Sequence, residues 1–153
     1  MNAAQTPSSS YSRVIFARFY LSDNALNLID FLRRAWSQKE DKRFPFFGLP
    51  LAVYCDLGPS NVSGLVTEAL AKLGVRRLDT LPSNATRNGS RKHGKIERAF
   101  GSGLFLEFMK FTKFYKFASM DEQNEALWEW LIHTNNRTHS MTKEKRFARW
   151  LTS

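Results

Sequence analysis

The chain has 153 residues, 42% of them apolar and 14% aromatic, enough to bury one core and too hydrophobic for a disordered tail. Its formal net charge of +9 points to a polyanionic partner, nucleic acid or an anionic surface, or else to a solvated basic surface. No apolar run approaches the ~20 residues of a membrane-spanning helix. The start, MNAAQTPSSS, has neither the basic nor the apolar region of a signal peptide, and the single cysteine, Cys55, excludes an internal disulfide. A cytoplasmic protein that makes no membrane contact is therefore expected.

In chain order, residues 1–12 are small and polar and read as an unstructured lead-in. Residues 13–21, RVIFARFYL, are rich in β-branched and aromatic types and read as a strand. Ser22 is expected to cap a helix that carries Asp23 in its first turn. Leu28, Ile29, Leu32, Ala35 and Trp36 share one face of that helix, which should end near Gln38. A charged connector over 38–50 closes on Gly48 and Pro50. Residues 51–55, LAVYC, are continuously apolar, as in a strand covered on both faces, and Cys55 within it reads as a buried, inert thiol. Ser60 or Asn61 should cap a second helix with Val62, Leu65, Val66, Ala69, Leu70 and Leu73 on its face. Gly74 is its expected C′ residue. Residues 75–81, VRRLDTL, read as another strand, and the alternation of strand and helix is an α/β signature.

Residues 82–93 read as a polar loop, followed by a helix from about Lys95 that Gly101 and Gly103 weaken. In FMKFTKFYKF, Phe108, Phe111, Phe114 and Phe117 recur every third residue with Lys110, Lys113 and Lys116 between them. This is either an apolar helix face with snorkelling lysines or an aromatic and basic surface for nucleic acid. A last amphipathic helix over 121–134 uses Leu127, Trp130 and Leu131, with Asp121, Glu122 and Glu125 favouring its start. The tail after it is polar and basic.

Two carboxylates carry the candidate chemistry. Asp56 follows a buried strand directly, where ligands gather in open α/β sheets, and it could ligate a hard divalent cation; the alternative is a turn residue before Gly58-Pro59. Glu97 is either a helix-start residue or a second ligand to that cation. Residues 76–98 hold seven Lys or Arg against Asp79 and Glu97, and Arg91, Lys92, Lys95 and Arg98 are the candidate phosphate contacts. His133 and His139 have no third ligand spaced to join them.

At these motifs the chain resembles the catalytic core of the DDE transposases and retroviral integrases, in its bacterial insertion-sequence branch. SRVIFARFYLSDNALNLIDFLRRA resembles the strand and helix after the family's DDxSR segment. LPLAVYCDLGP resembles P-x-x-L-Y-x-D-N-G-P, and ALAKLGVRRLDTLP resembles L-x-x-L-G-I…P. GKIERAF resembles G-K-x-E-R-x-F, and WLIHTNNRTHSMTKEKRFARW resembles W-L-x-x-x-N-x-x-x-H-S-x-T-x-x-x-P-x-x-R-W. The likeness runs over residues 12–150.

The resemblance implies a ribonuclease-H-like α/β fold, a mixed sheet with flanking helices. It divides the chain into a lead-in (1–12), a partial integrase catalytic core (13–118), and a C-terminal helix with a basic tail (119–153). Asp56 and Glu97 become the second and third metal-binding acids, with Mg²⁺ or Mn²⁺ as cofactor and phosphoryl transfer on DNA as the chemistry. Lys95 and Arg98 hold the DNA backbone. The partners implied are transposon ends, target DNA and further copies of the chain in a homo-oligomer. Two departures stand out. Leu57 replaces the family's Asn, and Ser9 and Ser10 stand where its paired acids precede Ser-Arg. The family's first catalytic Asp lies further upstream, and here no Asp or Glu precedes Asp23. The expectation is therefore a truncated core that lacks the first, central strand and its hairpin partner, and that is inactive alone.

Overall fold

The computed structural model describes residues 12–55, 63–79 and 104–152. Within them the order of elements is α1 (Ala25–Trp36), β1 (Ala52–Cys55), α2 (Gly64–Lys72), β2 (Arg76–Asp79), α3 (Leu104–Phe111), α4 (Met120–Asn136) and α5 (Arg146–Leu151). β1 and β2 pair in parallel, with Ala52 opposite Arg76 and Cys55 opposite Asp79, and α2 is the crossover between them. This is the mixed α/β arrangement expected, with a small sheet and flanking helices. The second helix begins later than the periodicity predicts, with Ser63 at its N-cap; Ser60 and Asn61 lie outside the described residues.

Local chemistry explains how α2 stops. Gly74 takes φ +69°, a left-handed conformation that costs glycine little. Its N–H donates to Ala71 O at 3.0 Å, and the Val75 N–H donates to Leu70 O at 3.0 Å. Those are the two bonds of a Schellman cap, and the accompanying apolar pair, Leu70 and Val75, is buried. The chain thus enters β2 in a fixed direction.

Residues 13–21 correct the expectation. Residues 14–20 run extended, with Val14, Ile15, Phe16 and Phe19 buried and Leu21 beyond them exposed; Phe19 takes part in an isolated bridge, but among the described residues no ladder pairs the segment as a strand. Two asparagines of α4 take the place of one neighbour. Asn135 accepts from the Ile15 N–H (2.9 Å) and donates to Ile15 O (2.7 Å). Asn124 does the same at Phe19, accepting at 2.8 Å and donating at 3.3 Å. A carboxamide has the donor and acceptor of a peptide group, so each imitates one rung of a sheet. The geometry suits the task. Positions 124 and 135 are about three helical turns apart and so share a face, while positions 15 and 19 share one edge of an extended chain.

Around this clamp the core is continuous. Val14, Ile15, Phe16 and Phe19 pack with Phe31, Leu32, Ala35 and Trp36 of α1, with Val53 and Cys55 of β1, and with Leu127, Leu131 and Ile132 of α4. The connector over 38–50, which reads as a charged loop, contributes two of its largest members. Phe44 stacks on Trp128 (4.6 Å) and meets Phe147 of α5 edge-on (4.9 Å); Phe46 meets Trp150 edge-on (4.7 Å). Lys39 lies beside the rings of Phe16, Phe44 and Phe46, with Nζ 5.2–5.7 Å from their centroids. Its ammonium donates to Ala35 O, Ser37 O and Phe46 O, which closes the end of α1. Burial pushes this amine down to about 8.

α1 is capped by Asn24, whose side chain accepts from the Asn27 N–H at 2.9 Å; Ser22 does not cap it, and its oxygen accepts from Asn24 instead. Tyr20 ties the extended segment to the helix by donating to Asp30 at 2.8 Å, where Arg34 and Arg33 also donate at 2.7 and 3.0 Å. Burial alone would raise the Asp30 carboxyl, but the hydrogen bonds from Arg34, Tyr20 and Arg33 outweigh it and hold the group at about 2.

Two outcomes follow. Asn135 is fully buried, so Asn135→Ala strands the Ile15 N–H and C=O and should lower unfolding stability by about 2–4 kcal/mol in urea titrations. For Asp30 the folded value lies below the ordinary one, so its contribution is complete above about pH 4 and fades as pH falls towards 2. The stability difference between the wild type and Asp30→Asn, read from melting curves, should shrink across that window.

Candidate functional site

The parallel pairing brings the carboxyl ends of β1 and β2 to the same end of the sheet. Cys55 closes β1 there, and Asp56 is the next residue in sequence. Cys55 is 5% exposed and faces the core, which fits the expected inert thiol. Opposite it in register, Asp79 is ion-paired to Arg77 at 2.7 Å, and Arg77 also donates to Thr67 of α2 at 2.9 Å. Arg77 therefore locks β2 to α2 and is not available to phosphate in this arrangement. Arg76, its neighbour, is exposed.

Asp56, Glu97, Arg91, Lys92, Lys95 and Arg98 lie outside the described residues. Among the described residues no three His, Cys, Asp or Glu side chains come together in a way that would hold a metal ion. His133 is exposed on α4. His139 accepts from the Met141 N–H through Nδ1 at 3.3 Å. Burial first, then the charges of Arg146, Arg13 and Arg149, hold its imidazole below the usual histidine value. That setting disfavours binding a further cation.

A second concavity, a cleft of about 1240 Å³, opens between residues 16–18, the end of α1, residues 112–117 and the first half of α4. No residue of β1, β2 or α2 lines it. Its Arg33 and Arg34 are already paired with Asp30, and α4 adds Asp121, Glu122 and Glu125, so the charge is mixed and no reactive set converges.

Residues of the tail that carry the family resemblance turn out to be structural where they are described. Asn135 is half of the clamp, Trp150 packs on Phe46, and Arg149 pairs with Glu144 at 2.7 Å. The tail is also better ordered than its polarity predicts. Thr138 bridges Lys145 in antiparallel fashion, and buried Arg146 donates to Thr134 O at 2.8 Å.

No protein-family model matches the sequence, and no curated protein matches it either. Solved structures do resemble its fold. The simian T-cell lymphotropic virus intasome, in complex with PP2A regulatory subunit B56 gamma, contains a chain that superposes with a TM-score of 0.64 at 18% identity, over 92% of this chain and 45% of its own length. The HTLV-2 integrase catalytic core domain in complex with magnesium, in its trimeric form, gives a TM-score of 0.57 at 13% identity, over 92% and 78%. The catalytic core domain of BIV integrase gives 0.60 at 12% identity, over 96% and 82%. The chain thus spans less than half of the intasome chain and most of the two isolated cores. Its fold is similar to that of retroviral integrase catalytic cores.

The burial of Cys55 can be checked directly. In the folded protein its thiol should react with an aromatic disulfide reagent at least about a hundredfold more slowly than in denaturant, because access requires opening of the sheet.

Proposed function

We propose that the chain carries the catalytic core of a DNA transposase or integrase, of the bacterial insertion-sequence kind, whose chemistry is metal-dependent phosphoryl transfer. The observation that carries this reading is the likeness of the fold to integrase cores over more than nine-tenths of the chain. Its companion is a carboxylate, Asp56, in the first position after a parallel strand that buries Val53 and Cys55 and, contrary to the expectation of cover on both faces, exposes Tyr54. Ligands of open α/β sheets collect at that end of the strands.

The donor set fits a hard divalent cation. Asp56 and Glu97 are both oxygen ligands, the chemistry that suits Mg²⁺ or Mn²⁺, and the one cysteine is turned into the core. When bound, such an ion supplies Lewis-acid stabilisation of phosphoryl oxygens and a more acidic water. The chain's own part is to hold and orient. Arg91, Lys92, Lys95 and Arg98 would take DNA phosphates, from transposon ends and target, beside the two acids. Leu57 offers no amide to orient Asp56.

A second reading, a non-catalytic DNA-binding protein, is favoured by the net charge of +9. Two measurements separate the readings. If Asp56 and Glu97 hold a metal, millimolar Mg²⁺ or Mn²⁺ raises the melting temperature, and Asp56→Asn or Glu97→Gln abolishes the rise. Nicking or strand transfer on terminal-repeat DNA that disappears in Glu97→Gln would establish the enzyme. DNA binding that weakens steeply with salt, with no metal response and no cleavage, assigns the second reading.

A further inference from the structure

The lysine and phenylalanine repeat after α3 does not continue as a helix face. Phe108 is fully buried, against Phe19 (5.8 Å) and Trp130 (5.7 Å), and the helix ends three residues later at Phe111. The chain then turns tightly. The Lys113 N–H donates to Lys110 O at 3.4 Å, and the Tyr115 N–H donates to Thr112 O at 2.9 Å. Phe114 is carried outward on this turn and is 91% exposed.

We infer that Lys110, Lys113, Phe114 and Lys116, none of them among the residues assigned above, form a binding face for single-stranded nucleic acid. The charge is unspent. Most described arginines on the surface are paired with a carboxylate, as Arg33, Arg34, Arg43, Arg137 and Arg149 are. Lys110, Lys113 and Lys116 are exposed and, among the described residues, have no carboxylate within ion-pair distance. Of the three acids nearest in sequence, Asp121 is exposed and forms no ion pair among the described residues, and the other two are engaged elsewhere. Glu107 is held by Arg137 at 2.9 Å, and Glu122 accepts from the Ala118 N–H at 2.6 Å. The ring is unspent too. Phe117 packs on Tyr115 (5.1 Å), but among the described residues the Phe114 ring meets only the ammonium of Lys113, 5.6 Å from its centroid.

Three exposed lysines within four residues of one bare aromatic ring, one of them against that ring, match a polyanion whose bases are available to stack. A duplex satisfies the lysines but leaves the ring unused, because its bases are already stacked on one another. A protein partner that buried Phe114 would have to desolvate the lysines around it.

The test uses the full chain and fluorescence anisotropy with a labelled oligothymidylate and a blunt duplex, in EDTA, so that a failed metal site leaves the result unaffected. Phe114→Ala should weaken oligothymidylate binding about 5- to 100-fold and change duplex binding by less than about twofold, with Phe114→Trp restoring the loss. Lys113→Ala and Lys116→Ala should each reduce the salt dependence of oligothymidylate binding by roughly 0.7 of a log–log slope unit. Phe114 is solvent-facing, so circular dichroism of these variants should match the wild type. Unchanged oligothymidylate affinity in Phe114→Ala, or an equal loss for duplex and single strand, overturns the inference. So does a Phe114-dependent sedimentation shift without a binding change, which would assign the ring to a second copy.

Discussion

The described structure depends on a satisfied backbone more than on any single apolar contact. The extended segment that carries Val14, Ile15, Phe16 and Phe19 can be buried only if its peptide groups are paired, because an orphaned N–H or C=O in a core costs as much as a good apolar contact gains. Asn124 and Asn135 supply that pairing from a helix. Once the segment is fixed, Phe16 can seat Phe31 and Phe44, and Phe44 can in turn seat Trp128 and Phe147. The aromatic core is assembled on top of four side-chain hydrogen bonds.

What could be read in the sequence was what local chemistry decides. The βαβ unit was legible because a continuous apolar run, a clean helical period and a glycine at the cap all fall within twenty-five residues. The segment at 13–21 was legible as an apolar extended stretch, but its pairing with Asn124 and Asn135 was not, because those partners lie more than a hundred residues away and pair through side chains. The connector at 38–50 misled for a related reason. Its charges and prolines dominate the pattern, while Phe44, Phe46 and Lys39 act as core residues through contacts with α1, α4 and α5. Of the candidate site, the end of β1 that precedes Asp56 is where the apolar run implied, and Glu97 with its basic neighbours lies outside the described residues. Arg77 shows how a count of positive charges overstates a binding surface, since Asp79 and Thr67 already occupy it.

The distribution of paired and unpaired charge therefore matters more than the net value of +9. Ion pairs hold α1 to itself, the connector to α4, and α3 to the residue that follows α4. The exposed lysines between α3 and α4 stand apart from this lattice, on a turn that also displays an uncovered ring. Structural cations and available cations occupy different parts of one surface, and only the second group can answer to a polyanion without dismantling the fold.

The asparagine clamp also sets a rule about length. Each carboxamide must meet one particular peptide group, and the two meet the segment only because they stand eleven positions apart in the helix. Removing or adding one residue between Asn124 and Asn135 would swing one amide by about 100° around the helix axis and off the segment. This part of α4 can therefore vary in composition on its exposed side but not in the number of residues it contains.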